Sequence, residues 1–148
     1  MQNRKPSGPV AETVEEIATS MGYSIVEFSA ERVKGRTHVH CVLFHPDGIN
    51  LDALGEVHTA LQPRLETLLE DDDLHIEFSS PGVERTLKSF HEFSVFSGHQ
   101  IHLLPADDTN WVHGTIYTAN DATCVIRDQS GVEYRFTPDT VKKARLSE

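Results

Sequence analysis

Only two of the 148 residues are cysteine, Cys41 and Cys124, and they stand far apart. That is too few for a disulfide framework, and the C-x-x-C spacing of a zinc or redox site is missing. Both read as reduced core residues. Aromatic residues make up 7% of the chain, with Trp111 the single tryptophan. No apolar run approaches the ~18 residues of a membrane-spanning helix, and the opening "MQNRKPSGPV" is too polar to read as a signal peptide. A cytoplasmic protein with no membrane partner is expected. Basic residues are scarce too: 13 Lys and Arg against 23 Asp and Glu, a formal net charge of −10. Proteins that coat nucleic acid without sequence preference draw most of their affinity from a basic face. The composition argues against that class and for a basic partner, or for solubility alone. The deficit is uneven. Residues 1–94 hold 16 acids against 8 bases, residues 95–148 only 7 against 5.

Catalytic signatures are also missing. There is no G-x-x-x-x-G-K-[ST] phosphate loop, no H-E-x-x-H, and no spaced D-x-D-x-D-G calcium loop. Ser80 lacks the flanking glycines of a G-x-S-x-G elbow, and nothing selects a partner base from the nine histidines. His38 and His40, two apart on a strand, share a face and are the one pair placed to chelate. The expectation is no catalytic residue, no metal and no cofactor, with a small hydrolase or metal enzyme using Ser80 and histidines kept as an alternative. The acidic run Glu70–Asp73 reads as a solvated loop. Arg32, Lys34 and Arg36 cluster at a hairpin tip, as solvated charges or as a phosphate grip. Trp111 reads as barrel core rather than as a base-stacking platform.

What is present is periodicity. Residues 1–8 look frayed. "PVAETVEEIATSMG" reads as a helix with Pro9 at its first position and Gly22 closing it. "YSIVEFSAE" and "THVHCVLFH" alternate as strands, with Val26, Phe28 and Ala30 on one face of the first and Val39, Cys41 and Leu43 on one face of the second. Asn50 is placed to cap a second helix whose apolar stripe is Leu51, Leu54, Val57, Leu61, Leu65 and Leu68, with Pro63 expected to kink it. "LHIEFS" makes a third strand. The first half is therefore an α-β-β-α-β domain, a three-stranded sheet with two helices on one face. Beyond Phe90 come the short runs "QIHLLP", "WVHGTIYTA", "ATCVIRD", "VEYRFTP" and "VKKARL". Short strands joined by tight turns point to a small β-barrel. The class is α+β, with domains at 1–88 and 89–148 and a linker over about 83–95.

Between the halves lies "HIEFSSPGVERTLKS". Pro81 and Gly82 fit the centre of a type II turn, glycine supplying a positive φ. This stretch is the most specific part of a wider resemblance that also takes in "GYSIVEFS", "PDGINLDALGEV", "FHEFSVFSGHQIHL" and "VKKARL". The chain resembles the bacterial ribosome maturation factor RimP family, whose SSPG-x-DRPL signature is matched from Ser79 to Leu87. Glu84 stands where the family has Asp, and Thr86 where it has Pro. Leu54 and His58 stand where a Cys and a Ser are usual. The resemblance implies an SH3-like (Sm-like) C-terminal barrel and a non-catalytic, monomeric assembly factor for the 30S subunit. It implies a pre-30S particle as partner, through the basic small-subunit ribosomal protein twelve and adjacent 16S rRNA. A generic Sm-like RNA-binding module is the alternative. Candidate partner-binding or interdomain residues are Ser80, Pro81, Gly82, Glu84, Arg85 and Lys88. Arg85 either holds an acid, with Glu84 and Glu92 nearest in sequence, or grips ribosomal RNA phosphate, the second role being preferred.

Overall fold

The structure, a computed structural model, describes residues 1–71 and 73–147. By contact the chain forms two compact units, residues 6–81 and residues 1–5 with 82–148.

In the first unit, helix α1 (Pro9–Ser20) begins on Pro9 and ends before Gly22, at φ 85°. Strands β1 (Ser24–Val33) and β2 (Arg36–Phe44) form an antiparallel hairpin. Lys34 and Gly35 both take positive φ there, the backbone of a two-residue hairpin turn whose twist suits the strands. Helix α2 (Leu51–Leu69) then crosses over to β3 (His75–Ser79), which lies parallel to β2, giving the sheet order β1-β2-β3. A parallel neighbour needs such a crossover. The Asn50 side chain caps α2 by accepting from the Ala53 amide at 3.1 Å, and the helix continues through Pro63. Val14, Ala18, Val57, Leu61 and Leu65 from the helices pack on Val39, Cys41, Leu43 and Ile76 of the sheet.

Three local expectations are corrected. Leu51 and Leu68, placed on the apolar stripe of α2, are 80% and 44% exposed, because the stripe is covered only through its middle turns. On β1 the register slips between Ile25 and Glu27. One extra residue reverses the parity of a strand, so Ile25, not Val26, opposes Leu43 on the core face. The acidic run is not simply solvated. Asp72 lies outside the described residues, but Asp71 is buried and its carboxylate accepts from the Thr37 amide at 3.0 Å and the Asp73 amide at 2.9 Å. Arg32 reaches Asp71 at 3.8 Å, and Arg36 donates to the Asp73 carbonyl at 2.9 Å. The basic hairpin tip and the acidic loop therefore hold each other.

The second unit carries strands β4 (Gln100–Pro105), β5 (Val112–Ala119), β6 (Cys124–Arg127), β7 (Glu133–Phe136) and β8 (Val141–Leu146). They make one antiparallel sheet in the order β7-β6-β5-β4-β8, the strand set of an SH3-like barrel. Ile101, Leu103, Ile116 and Ile126 are fully buried at its centre. A short helix, α3 (Glu92–Val95), precedes β4, and Phe90, Phe93 and Phe96 around it are buried. Residues 83–95, read above as a linker, thus feed this core. Nor is the N-terminus frayed throughout. The Gln2 carbonyl accepts from the Phe90 amide at 2.9 Å, and the Met1 ammonium donates to the Pro138 and Val141 carbonyls at 2.6 and 2.7 Å.

Candidate functional site

The residues singled out between Ser80 and Lys88 fall on both sides of the division between units. Ser80 and Pro81 end the first, with Ser80 exposed; Gly82 opens the second. The turn is not the type II turn expected. Gly82 does not take a positive φ, and a Cβ built on it would meet nothing within 4 Å. Instead the Arg85 amide donates to the Gly82 carbonyl at 3.2 Å, so Val83 and Glu84 are the central residues and Gly82 the first. Proline presets its own φ, but the turn closes two residues later than its position implied.

The next three residues are stitched to the sheet. The Leu146 amide donates to the Arg85 carbonyl at 2.9 Å, and the Leu87 amide to the Ala144 carbonyl at 2.8 Å. Thr86 bridges Arg145 in antiparallel fashion. The signature's second half is therefore a short extra rung along the edge of β8. Leu87 is buried, whereas Glu84, Thr86 and Lys88 are exposed.

Arg85 turns inward. Its Nε donates to Glu92 Oε1 at 2.7 Å and its Nη2 to Oε2 at 3.2 Å, while the Lys88 amide adds a third bond to Oε2 at 3.1 Å. The side chains are 10% and 1% exposed. Taking a carboxylate out of water is costly unless its lone pairs are met. Here a guanidinium fork and a backbone amide meet them, in the paired geometry that favours arginine over lysine. Glu92 is thus the anchor of the segment, as the alternative reading of Arg85 had it.

The hydroxyls and histidines of the enzyme alternative do not converge. Ser79, not Ser80, lies beside a base, its Oγ 3.0 Å from His40 Nε2. Among the described residues no group binds the other ring nitrogen of His40 to orient it. His38 packs edge-on against His75, ring centroids 5.4 Å apart, so it and His40 serve different neighbours. Cys41 and Cys124 are buried free thiols, and burial pushes both up to about 12. A thiol so far from ionising is a poor nucleophile. No helix among the described residues is long and apolar enough to cross a membrane.

Other cations and rings, on β4, on β8 and on β5 with the residue before it, share one outer face. Trp111, expected in the barrel core, is 42% exposed. His102 opposes His113 on β5 and Arg145 on β8. The register across three strands is what gathers them, and only the two-residue alternation within each strand was visible beforehand.

Comparison with known proteins agrees with this architecture. Residues 13–84 match the family model of the RimP N-terminal domain. The ribosome maturation factor RimP of Borrelia hermsii (strain HS1 / DAH) is 29% identical over 134 residues, covering 90% of this chain and 91% of that protein. The ribosome maturation factor RimP of Borrelia recurrentis (strain A1) is 27% identical over 138 residues, covering 93% and 94%. With a match to the RimP N-terminal domain over residues 13–84, a second unit of five antiparallel strands and similarity running along nearly the whole of both chains, the chain is similar from end to end to the ribosome maturation factor RimP family.

Proposed function

We propose that this protein is a non-catalytic assembly factor, acting in the cytoplasm as a monomer in the maturation of the 30S ribosomal subunit. It binds a basic small-subunit ribosomal protein, protein twelve, with adjacent 16S rRNA in pre-30S particles. The observation that carries the reading is similarity over nine-tenths of the chain to proteins named ribosome maturation factors. The net charge of −10 supports the choice of a basic protein as main partner, since complementary charge steers encounter and suppresses wrong partners. The exposed residues Ser80, Gly82, Glu84 and Lys88 are proposed to contribute contacts, with Pro81 preceding the turn and Arg85 holding it through Glu92.

Gradient sedimentation of cell extracts tests this. The protein is expected with 30S precursors and absent from mature 70S ribosomes. In parallel, purified protein twelve should bind more tightly than an unstructured RNA. Equal occupancy of precursors and mature ribosomes, or preference for the RNA, would remove the reading.

A further inference from the structure

The outer face of the second sheet carries a group of side chains that the reading above does not use. Ile101 and Leu103 of β4 point into the core, so His102 between them points out. The rings of His102 and His113 meet at 4.1 Å between centroids, 69° apart in plane. Arg145 lies on the other side of His102, and Lys143 is two residues further back on β8. With Thr86 and Trp111 these residues line a groove of about 460 Å³. An adjoining groove of about 540 Å³ passes the same histidine pair and continues to Arg127, whose guanidinium lies 3.5 Å from the centre of the Tyr117 ring.

Three features define the chemistry this face would take. Residues 141–147 hold Lys142, Lys143 and Arg145 and no acid. Among the described residues no carboxylate lies within ion-pair distance of Lys143 or Arg145, whereas Arg127 is shared with Glu133 at 2.6 Å. Second, the only indole of the chain is left in solvent beside them. Third, His102 is held below the ordinary histidine value, by its burial first and then by His113 and Arg145, with Glu84 pulling the other way. At neutral pH its ring is therefore an uncharged hydrogen-bonding group rather than a third cation.

We propose that this face binds a short segment of single-stranded RNA, with Trp111 stacked on a base and Lys143 and Arg145 on its phosphates. A flat apolar ring next to unpaired cations is the combination that sequence-tolerant single-strand sites use. An acidic peptide would satisfy the cations and leave the indole without a role. The two adjoining grooves suit a strand rather than one nucleotide. The net negative charge does not forbid it, because the excess acid lies mainly in residues 1–94 and exposed charges beyond about 10 Å are screened at 0.1 M salt. The choice of RNA among polyanions rests on the small-subunit reading proposed above.

Trp111, being unique, reports on its own site. Titration with a short unstructured oligouridylate should quench its fluorescence, and poly-glutamate at equal charge should not. With a labelled oligonucleotide followed by anisotropy, Lys143→Glu and Arg145→Glu should each weaken binding about tenfold or more and flatten its salt dependence. Trp111→Ala should weaken it about tenfold by loss of stacking. No quenching by the RNA, equal quenching by poly-glutamate, or unchanged affinity in Trp111→Ala would each overturn the proposal. Co-sedimentation with pre-30S particles is scored separately in the same variants. Wild-type protein that sediments with precursors but ignores the oligonucleotide would sink the groove and leave the assembly reading standing.

Discussion

Glu92 carries more of the local structure than its position in a four-residue helix suggests. Its carboxylate, 1% exposed, is met by two nitrogens of Arg85 and by the Lys88 amide. Removing one member of a buried pair leaves the other uncompensated, at about 3–5 kcal/mol. Glu92→Ala should therefore lower the unfolding free energy by an amount in that range, and Arg85→Lys by less, since one ammonium replaces only part of the fork. Thermal or urea unfolding decides it: an Arg85→Lys midpoint equal to wild type would show that the fork adds nothing. Asp71 is the second carboxylate with a structural task. Its carboxyl is held below the usual range, first by the Thr37 hydroxyl, then by the Asp73 amide, with burial opposing and the Thr37 amide and Arg32 adding to the effect. A folded pKa below the unfolded one gives stability that is complete above the unfolded value of about 3.9 and is lost as pH falls through the folded value. Wild type should lose stability across that acid window more steeply than Asp71→Asn, which should start lower at neutral pH. Parallel pH profiles for the two proteins would refute the assignment.

At the scale of elements, two glycines separate a turn from a close approach. A Cβ on Gly114 of β5 would lie 2.6 Å from the Arg127 carbonyl oxygen and 2.9 Å from Ile126 Cγ2 on β6. Backbone cannot retreat without parting the strands, so Gly114→Ala should cost about 1–3 kcal/mol, the usual range for overpacking. Gly82 has open space and no positive φ. Gly82→Ala should change stability by no more than about 0.5 kcal/mol, as surface changes do. Urea midpoints of the two variants give the comparison, and similar losses in both would contradict it. The same contrast explains what the sequence made legible. Caps and alternation are local, so Pro9, Asn50, Gly22 and the order of strands were readable from neighbours a few residues away. The slip at Ile25, the pairing of Arg32 and Arg36 with residues 71 and 73, and the rung from Arg85 to Leu87 on β8 all depend on partners distant in sequence. No period announces those. The outer face around His102 was hidden for the same reason: its members come from β4, β5 and β8, and only the register brings His113 and Arg145 to either side of it.

Over the whole molecule, charge acts on stability and on association in opposite senses. A net −10 on 148 residues repels itself in the folded state, and chain expansion relieves that repulsion. Added salt screens it. The pair most important locally, Arg85 with Glu92, is buried, and buried pairs are screened much less than exposed ones. The exposed pairs, such as Arg64 with Glu16 at 3.5 Å and Lys5 with Asp121 at 3.9 Å, contribute little in any case, since such contacts are typically worth about 0–1 kcal/mol. Raising sodium chloride from low to moderate concentration should therefore raise the unfolding midpoint. The same series should weaken binding to a basic ribosomal protein, because the attraction that steers the two together is screened as well. Scanning calorimetry and equilibrium binding in matched buffers test both signs at once. A midpoint that falls with salt would mean that favourable surface pairs outweigh self-repulsion, and salt-independent binding would mean that the partner is not recognised through the acidic surface.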